Sequence, residues 1–336
     1  PDTRLNLGTL YARQNDLDRA VAAYRGALEI MRSPAGADLK PEELAQWREY
    51  ENIAATRLGQ ILLMQEKLAE GAQVYRELLA RQPENLTAKT NLALVLHRTG
   101  AVAEAYEIYT QLLAIDTLTE ADYFNIGLGL YRGEQYEQAE AAFEKALAVN
   151  PYYYDALYNR AQSILARTIK LEQKHQEATG EAAKQAAAEL AAIYTELKDA
   201  AERLQSLNPL GKTVLLLTAR AYRGLGDVTA DPKAAEQWKQ QLLKVLERER
   251  SAPFHVADIG MVRENETVQV KGKIENVTVE PGQPIRFAVS VLSRSGAVLA
   301  TEDVAVPAPA AGAAADFEVS FTPSEPAAGF KYEPLQ

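Results

Sequence analysis

The sequence predicts a two-part chain: an all-α solenoid of about six stacked helix pairs over residues 1–252, then a small all-β sandwich over residues 253–336. Three observations predict it. A set of apolar and small residues recurs at fixed offsets through the first half. The apolar period switches from 3.6 to 2 near residue 253. And 336 residues are too many for one ordinary core.

The recurring set reads Leu7, Gly8, Tyr11, Ala20, Tyr24, Ala27 and Pro34 in its first copy. The second is Leu58, Gly59, Leu62, Gly71, Tyr75, Leu78 and Pro83. The third is Leu92, Ala93, Leu96, Ala105, Tyr109 and Leu112. The fourth is Ile126, Gly127, Leu130, Ala139, Phe143, Ala146 and Pro151. Leu58, Leu92 and Ile126 follow one another at 34-residue steps. Small residues stand where two helices must approach closely, and Tyr24, Tyr75, Tyr109 and Phe143 are expected to fill the gap to the next pair. One helix pair cannot bury its own apolar stripe, so pairs stack. These residues resemble the tetratricopeptide repeat family, closely over about residues 1 to 165 and loosely to about 250. The resemblance implies an interaction scaffold with a concave groove.

Two stretches depart from the period. Residues 35–51 intervene before the second copy, and Pro41, followed by Glu42 and Glu43, marks a helix start that extends the next helix backwards. Residues 166–186 form a second insert. Residues 155–176 continue as one helix, Thr179-Gly180 turns, and 181–207 runs back as a hairpin. Residues 210–250 give a last, degenerate pair, with Trp238 as its packing aromatic.

From residue 253 the pattern alternates. Residues 267–274, 285–291, 297–304, 317–321 and 329–332 read as strands, separated by turn residues such as Pro281-Gly282 and Ser295-Gly296. Short strands at this spacing suggest an immunoglobulin-like sandwich. KGKIENVT, the Pro-Ala-rich turn before DFEVSF, and GFKYE are similar to the FxLYD-type domain of bacterial envelope proteins. The eponymous motif is degraded to Val291-Leu292-Ser293-Arg294. That resemblance implies a fold and an envelope or periplasmic setting, with the cytoplasm as the alternative.

Composition narrows the function classes. Hydrophobic residues at 47% and charged residues at 24% fit a folded chain. A net charge of -10 argues against nucleic acid as a partner. The absence of cysteine removes disulfides, thiolate metal sites and cysteine nucleophiles. His97, His175 and His255 share no motif. Gly211-Lys212-Thr213 has Ser206 where a phosphate loop needs glycine. No cofactor, metal site or catalytic set is expected. Pro1 stands just before a helical pattern, so a mature or truncated product is expected, with any leader outside it. Membrane or wall association would then run through partners or an N-terminal anchor.

The binding residues are expected on the concave face. Asn91, Asn125 and Asn159 recur at 34 residues, Asn6 holds the same repeat position, and Arg57 replaces it in the second copy. The family resemblance implies an asparagine ladder, since each amide offers a donor and an acceptor to a peptide main chain. Seven residues on, two helical turns away on nearly the same face, stand Arg13, Arg98 and Arg132. Arginine adds bidentate recognition of carboxylates. Phe124 and Tyr131 are the expected apolar anchors. The expected partner is one or more proteins, held through an extended, acidic segment. The alternative is an architectural subunit, held through its convex faces and the 165–207 hairpin, with an empty groove.

Overall fold

The computed structural model describes residues 2–33, 39–176, 178–264 and 266–335, so residues 34–38 of the first insert lie outside the described residues. The described residues form twelve helices followed by six strands. No helix is long and apolar enough to cross a membrane. The chain divides into two compact units, Pro1–Gln135 and Tyr136–Gln336. The expected border at residue 252 marks the change from helix to strand. The strands nonetheless share the second unit with the helices from Tyr136 onwards.

The first unit holds α1 (Asp2–Arg13), α2 (Leu17–Arg32), α3 (Pro41–Met64), α4 (Leu68–Arg81), α5 (Leu86–Arg98), α6 (Val102–Leu113) and α7 (Glu120–Arg132). Each helix packs on its sequence neighbour, and α1, α3, α5 and α7 also touch in succession. Caps fix the starts. Asp16 accepts from the Arg19 N–H, Asn85 from the Ala88 N–H, and Thr119 and Asp122 close a reciprocal capping box. Between the helices of each pair the chain turns through a left-handed residue at one repeat position: Asn15, Glu66, Gly100 and Glu134.

Helix α3 starts at Pro41, and its extra turns are held down. The Trp47 indole N–H donates to the Met31 carbonyl at 3.0 Å. The buried Glu51 carboxylate pairs with Arg81 at 2.9 Å. The repeat aromatics differ from expectation. Tyr24 lies against Gly8 and Tyr75 against Gly59, each within its own pair, while Tyr109 reaches forward to Gly129. The third pair has Ala93 where the first two have glycine, so its aromatic ring has no slot at home.

The second unit holds α8 (Tyr136–Val149), α9 (Tyr154–His175), α10 (Gly180–Leu207), α11 (Lys212–Val228) and α12 (Pro232–Ser251). Helices α9 and α10 are the long hairpin, turning at Gly180 with φ +60. They are pinned along their length: His175 Nε2 lies 2.8 Å from Glu189, and Glu172 accepts from both Tyr194 and Arg220. Trp238 of α12 stacks on Tyr222 of α11 at 5.9 Å.

Strands β1 (Phe254–Glu264), β2 (Thr267–Asn276), β3 (Pro284–Leu292), β4 (Val298–Pro307), β5 (Ala314–Phe321) and β6 (Gly329–Pro334) form two antiparallel three-stranded sheets, ordered β1-β2-β5 and β4-β3-β6. Their inner faces share one core around Phe287, Phe317 and Tyr332. The sandwich also packs onto the helices of its own unit. Tyr154 meets Phe330 at 5.3 Å, and the Asn150 amide donates to the Ala328 carbonyl at 2.8 Å. Gly296 and Gly329 leave the space that Tyr152 fills.

Candidate functional site

A pocket of about 280 Å³ opens on the successive helices α3, α5 and α7 of the first unit. The same three helices touch one another, so their facing side chains meet. Asn91 of α5 and Asn125 of α7 line it together, with Gln60 of α3 completing a row of amides. Thr87 and Thr90 add polar edges. The apolar wall comes from Leu86, Leu94, Leu118, Ile126 and Leu128. One cation, Arg132, lines the pocket, and among the described residues it has no ion pair. The Asp122 carboxylate is already committed, accepting from the Thr119 N–H at 3.0 Å and hydroxyl at 2.7 Å.

Behind the wall sits a group that sequence reasoning missed. The Tyr109 ring fills the space beside Gly129, and its buried hydroxyl has no hydrogen-bond partner among the described residues. Burial pushes this phenol far above its ordinary range, against the opposing pull of Arg132. The hydroxyl therefore stays neutral at any physiological pH.

The other expected residues are placed differently. The Asn6 amide donates to Asp2 of its own helix at 3.2 Å. Arg57 is exposed, 3.5 Å from Gln60. Arg13 is exposed at the end of α1. Arg98 is occupied: it donates to Glu66 at 2.6 Å and to the Leu63 carbonyl at 3.3 Å. Phe124 and Tyr131 are half-buried on α7 and do not line the pocket. Asn159 belongs to the second unit, where its amide donates to the Asp155 carbonyl of its own helix at 2.8 Å. The three histidines remain apart. His255 is buried and donates from Nδ1 to the Leu210 carbonyl at 3.2 Å, since a carbonyl can only accept. Among the described residues no group of three or more His, Asp and Glu is placed to hold a metal ion.

No curated protein matches the chain. Among solved structures, MamA protein is 16% identical, with a TM-score of 0.39, covering 63% of this chain and 98% of its own. PilW, described as a widely conserved type IV pilus biogenesis factor, is 20% identical, with a TM-score of 0.41, covering 72% and 92%. A tetratricopeptide repeat protein from Parabacteroides merdae ATCC 43184 is 19% identical, with a TM-score of 0.36, covering 74% and 92%. The tetratricopeptide repeat family itself is matched in three stretches that span the pocket and its flanking pairs. The chain carries tetratricopeptide repeats at residues 1–33, 56–117 and 124–197.

Proposed function

We propose that this chain is a non-enzymatic scaffold that holds an extended segment of a partner protein against α5 and α7. The observation that carries the reading is the pocket in which Asn91, Asn125 and Arg132 meet over an aliphatic wall. The two amides suit a peptide main chain whatever its side chains. The leucines suit an aliphatic side chain, and Arg132 suits a carboxylate beside it. Asn6, Arg57 and Arg13 would serve as outlying contacts within the first unit. The sandwich is read as an FxLYD-like, immunoglobulin-like domain, and the bacterial envelope setting rests on that resemblance.

Affinity capture with the chain as bait, read by mass spectrometry, tests this beside an Asn91→Ala/Asn125→Ala variant. A partner captured by the parent and lost with the variant supports groove binding. A partner held equally by both means that the groove is unused and the chain is an architectural subunit.

A further inference from the structure

The second unit has a pocket of its own, of about 260 Å³, lined by α9, the start of α11 and β1. Helix α9 brings Tyr154, Asp155 and Tyr158 to it. Two 34-residue steps earlier, Leu86, Thr87 and Thr90 of α5 hold the same repeat positions and line the pocket of the first unit. The lining positions are kept and the chemistry is changed. A leucine and a threonine become tyrosines, and the other threonine becomes an aspartate.

The rings of Tyr154 and Tyr158 lie nearly parallel, 17° apart in plane with centroids at 6.5 Å. The Asp155 carboxylate has no ion pair among the described residues. The surrounding protein desolvates it and raises it above the ordinary carboxylate range, with no cation to oppose the rise. Asp258, the second acid at the pocket, is committed to Lys273 at 2.7 Å. The Tyr154 hydroxyl accepts from Asn208 at 2.8 Å, and among the described residues its own proton has no acceptor. Thr213 adds a second hydroxyl, and Val256 and Ile259 add apolar surface. A first-turn acid complements a helix start without any ligand, but that role asks nothing of the two tyrosines beside it. A flat cation answers all three side chains, because its face stacks on a phenol ring while its N–H groups reach a carboxylate. We propose that this pocket binds the guanidinium of an arginine side chain on an extended segment of a partner protein, whose main-chain carbonyl accepts from Tyr154. The site shares no residue with the pocket on α5 and α7 and stands whether or not that groove is used.

The probe is the peptide acetyl-Gly-Arg-Gly-amide, titrated into the isotope-labelled full chain, with the backbone amide signals of Thr213, Ala257 and Asp258 as the readout. The citrulline counterpart keeps the shape without the charge, and free L-arginine lacks the flanking main chain. The expected result is one saturable curve for the arginine peptide. Affinity should fall about tenfold or more with the citrulline peptide, with Asp155→Asn and with Tyr158→Leu. Glu302→Gln, at an exposed acid on β4, should change nothing, which separates the pocket from diffuse attraction to a chain of net charge -10. Circular dichroism confirms that each variant is folded. Shifts that never saturate, equal binding of the citrulline peptide, or parent-like affinity in Asp155→Asn or Tyr158→Leu overturns the proposal. Free L-arginine binding more tightly than the peptide overturns the assignment to a partner's side chain.

Discussion

The Tyr332 hydroxyl donates to Asn208 Oδ1 at 2.9 Å and accepts the Leu210 N–H at 2.8 Å, joining the last strand to the turn before α11. Asn208 in turn donates to the Tyr154 hydroxyl at 2.8 Å. All of these groups are largely or wholly buried, so the network ties the sandwich to the helices of its unit. Tyr332→Phe leaves the Leu210 N–H and an Asn208 oxygen without a partner. It should cost about 1–3 kcal/mol. Denaturant unfolding followed by Trp238 fluorescence, in a Trp47→Phe background, measures it. Tyr109→Phe is the matched contrast. Its hydroxyl is buried and has no hydrogen-bond partner among the described residues, so removing it should be neutral or stabilising. Trp47 fluorescence in a Trp238→Phe background reads the first unit, and a loss for Tyr109→Phe as large as that for Tyr332→Phe would contradict the assignment of an unbonded hydroxyl.

Glycine in the repeat acts in two distinct ways. A Cβ on Gly59 would overlap the Tyr75 ring, whose hydroxyl reaches the Thr56 carbonyl at 3.3 Å. Gly59→Ala should therefore cost about 1–3 kcal/mol through overpacking. Gly100 has open space around it but sits at φ +86. Gly100→Ala should cost about 1–2 kcal/mol through backbone strain alone. Combining Gly59→Ala with Tyr75→Leu should recover part of the first loss, whereas no side-chain change rescues the second. Chemical unfolding of the single and double variants separates the cases.

These positions also show what the sequence could and could not disclose. The 34-residue step brings Asn91 and Asn125 to equivalent places, and they do line one pocket. The same step carries Leu94 and Leu128, three residues on from each Asn, so the apolar wall is legible in the repeat, whereas the aromatics Phe124 and Tyr131 do not line this pocket. The partners of Arg98 are not legible, because periodicity gives a face and not a neighbour. Its partner Glu66 sits on a left-handed turn with φ 59, which no composition rule marks for glutamate. Strand β1 is not legible as a strand, because a register shift between Ala257 and Gly260, with Asp258 at φ 49, breaks the alternation that identifies one. Residues 34–38, within the first departure from the period, lie outside the described residues.

Glu140 of α8 gives the second unit a pH dependence. Burial pushes its carboxyl from 4.5 up to about 7, outweighing the attraction of Arg167, 3.5 Å away, with Arg160 pulling down and Glu196 and Glu137 adding to the rise. In the unfolded chain the group ionises near 4.5, while in the folded chain it keeps its proton until about 7. The folded state thus binds more protons across that window. Its stabilising contribution is complete below the unfolded value and is lost as the pH rises through the folded one. The melting temperature of the second unit should fall between pH 5 and pH 7.5, and Glu140→Gln should flatten that fall. Parallel declines in parent and variant would locate the titration elsewhere.

Arg132 and Arg98 occupy the same repeat position, yet their substitutions should have different consequences. Arg132 lines the pocket and has no ion pair among the described residues, so its guanidinium can meet a carboxylate. A charge-assisted hydrogen bond is worth about 1.5–3 kcal/mol, so Arg132→Ala should weaken an acidic peptide from the captured partner by about 10- to 100-fold. The loss should shrink at high salt, where exposed charges are screened. Arg98 spends its donors on Glu66 and the Leu63 carbonyl. Arg98→Ala should leave the affinity unchanged and cost at most about 1 kcal/mol of stability, as exposed ion pairs do. Calorimetric titration of both variants at low and high salt decides the matter. If Arg98→Ala lowers affinity as much as Arg132→Ala, the peptide runs past the pocket along α5. If neither does, the carboxylate contact is absent and Asn91 and Asn125 alone hold the main chain.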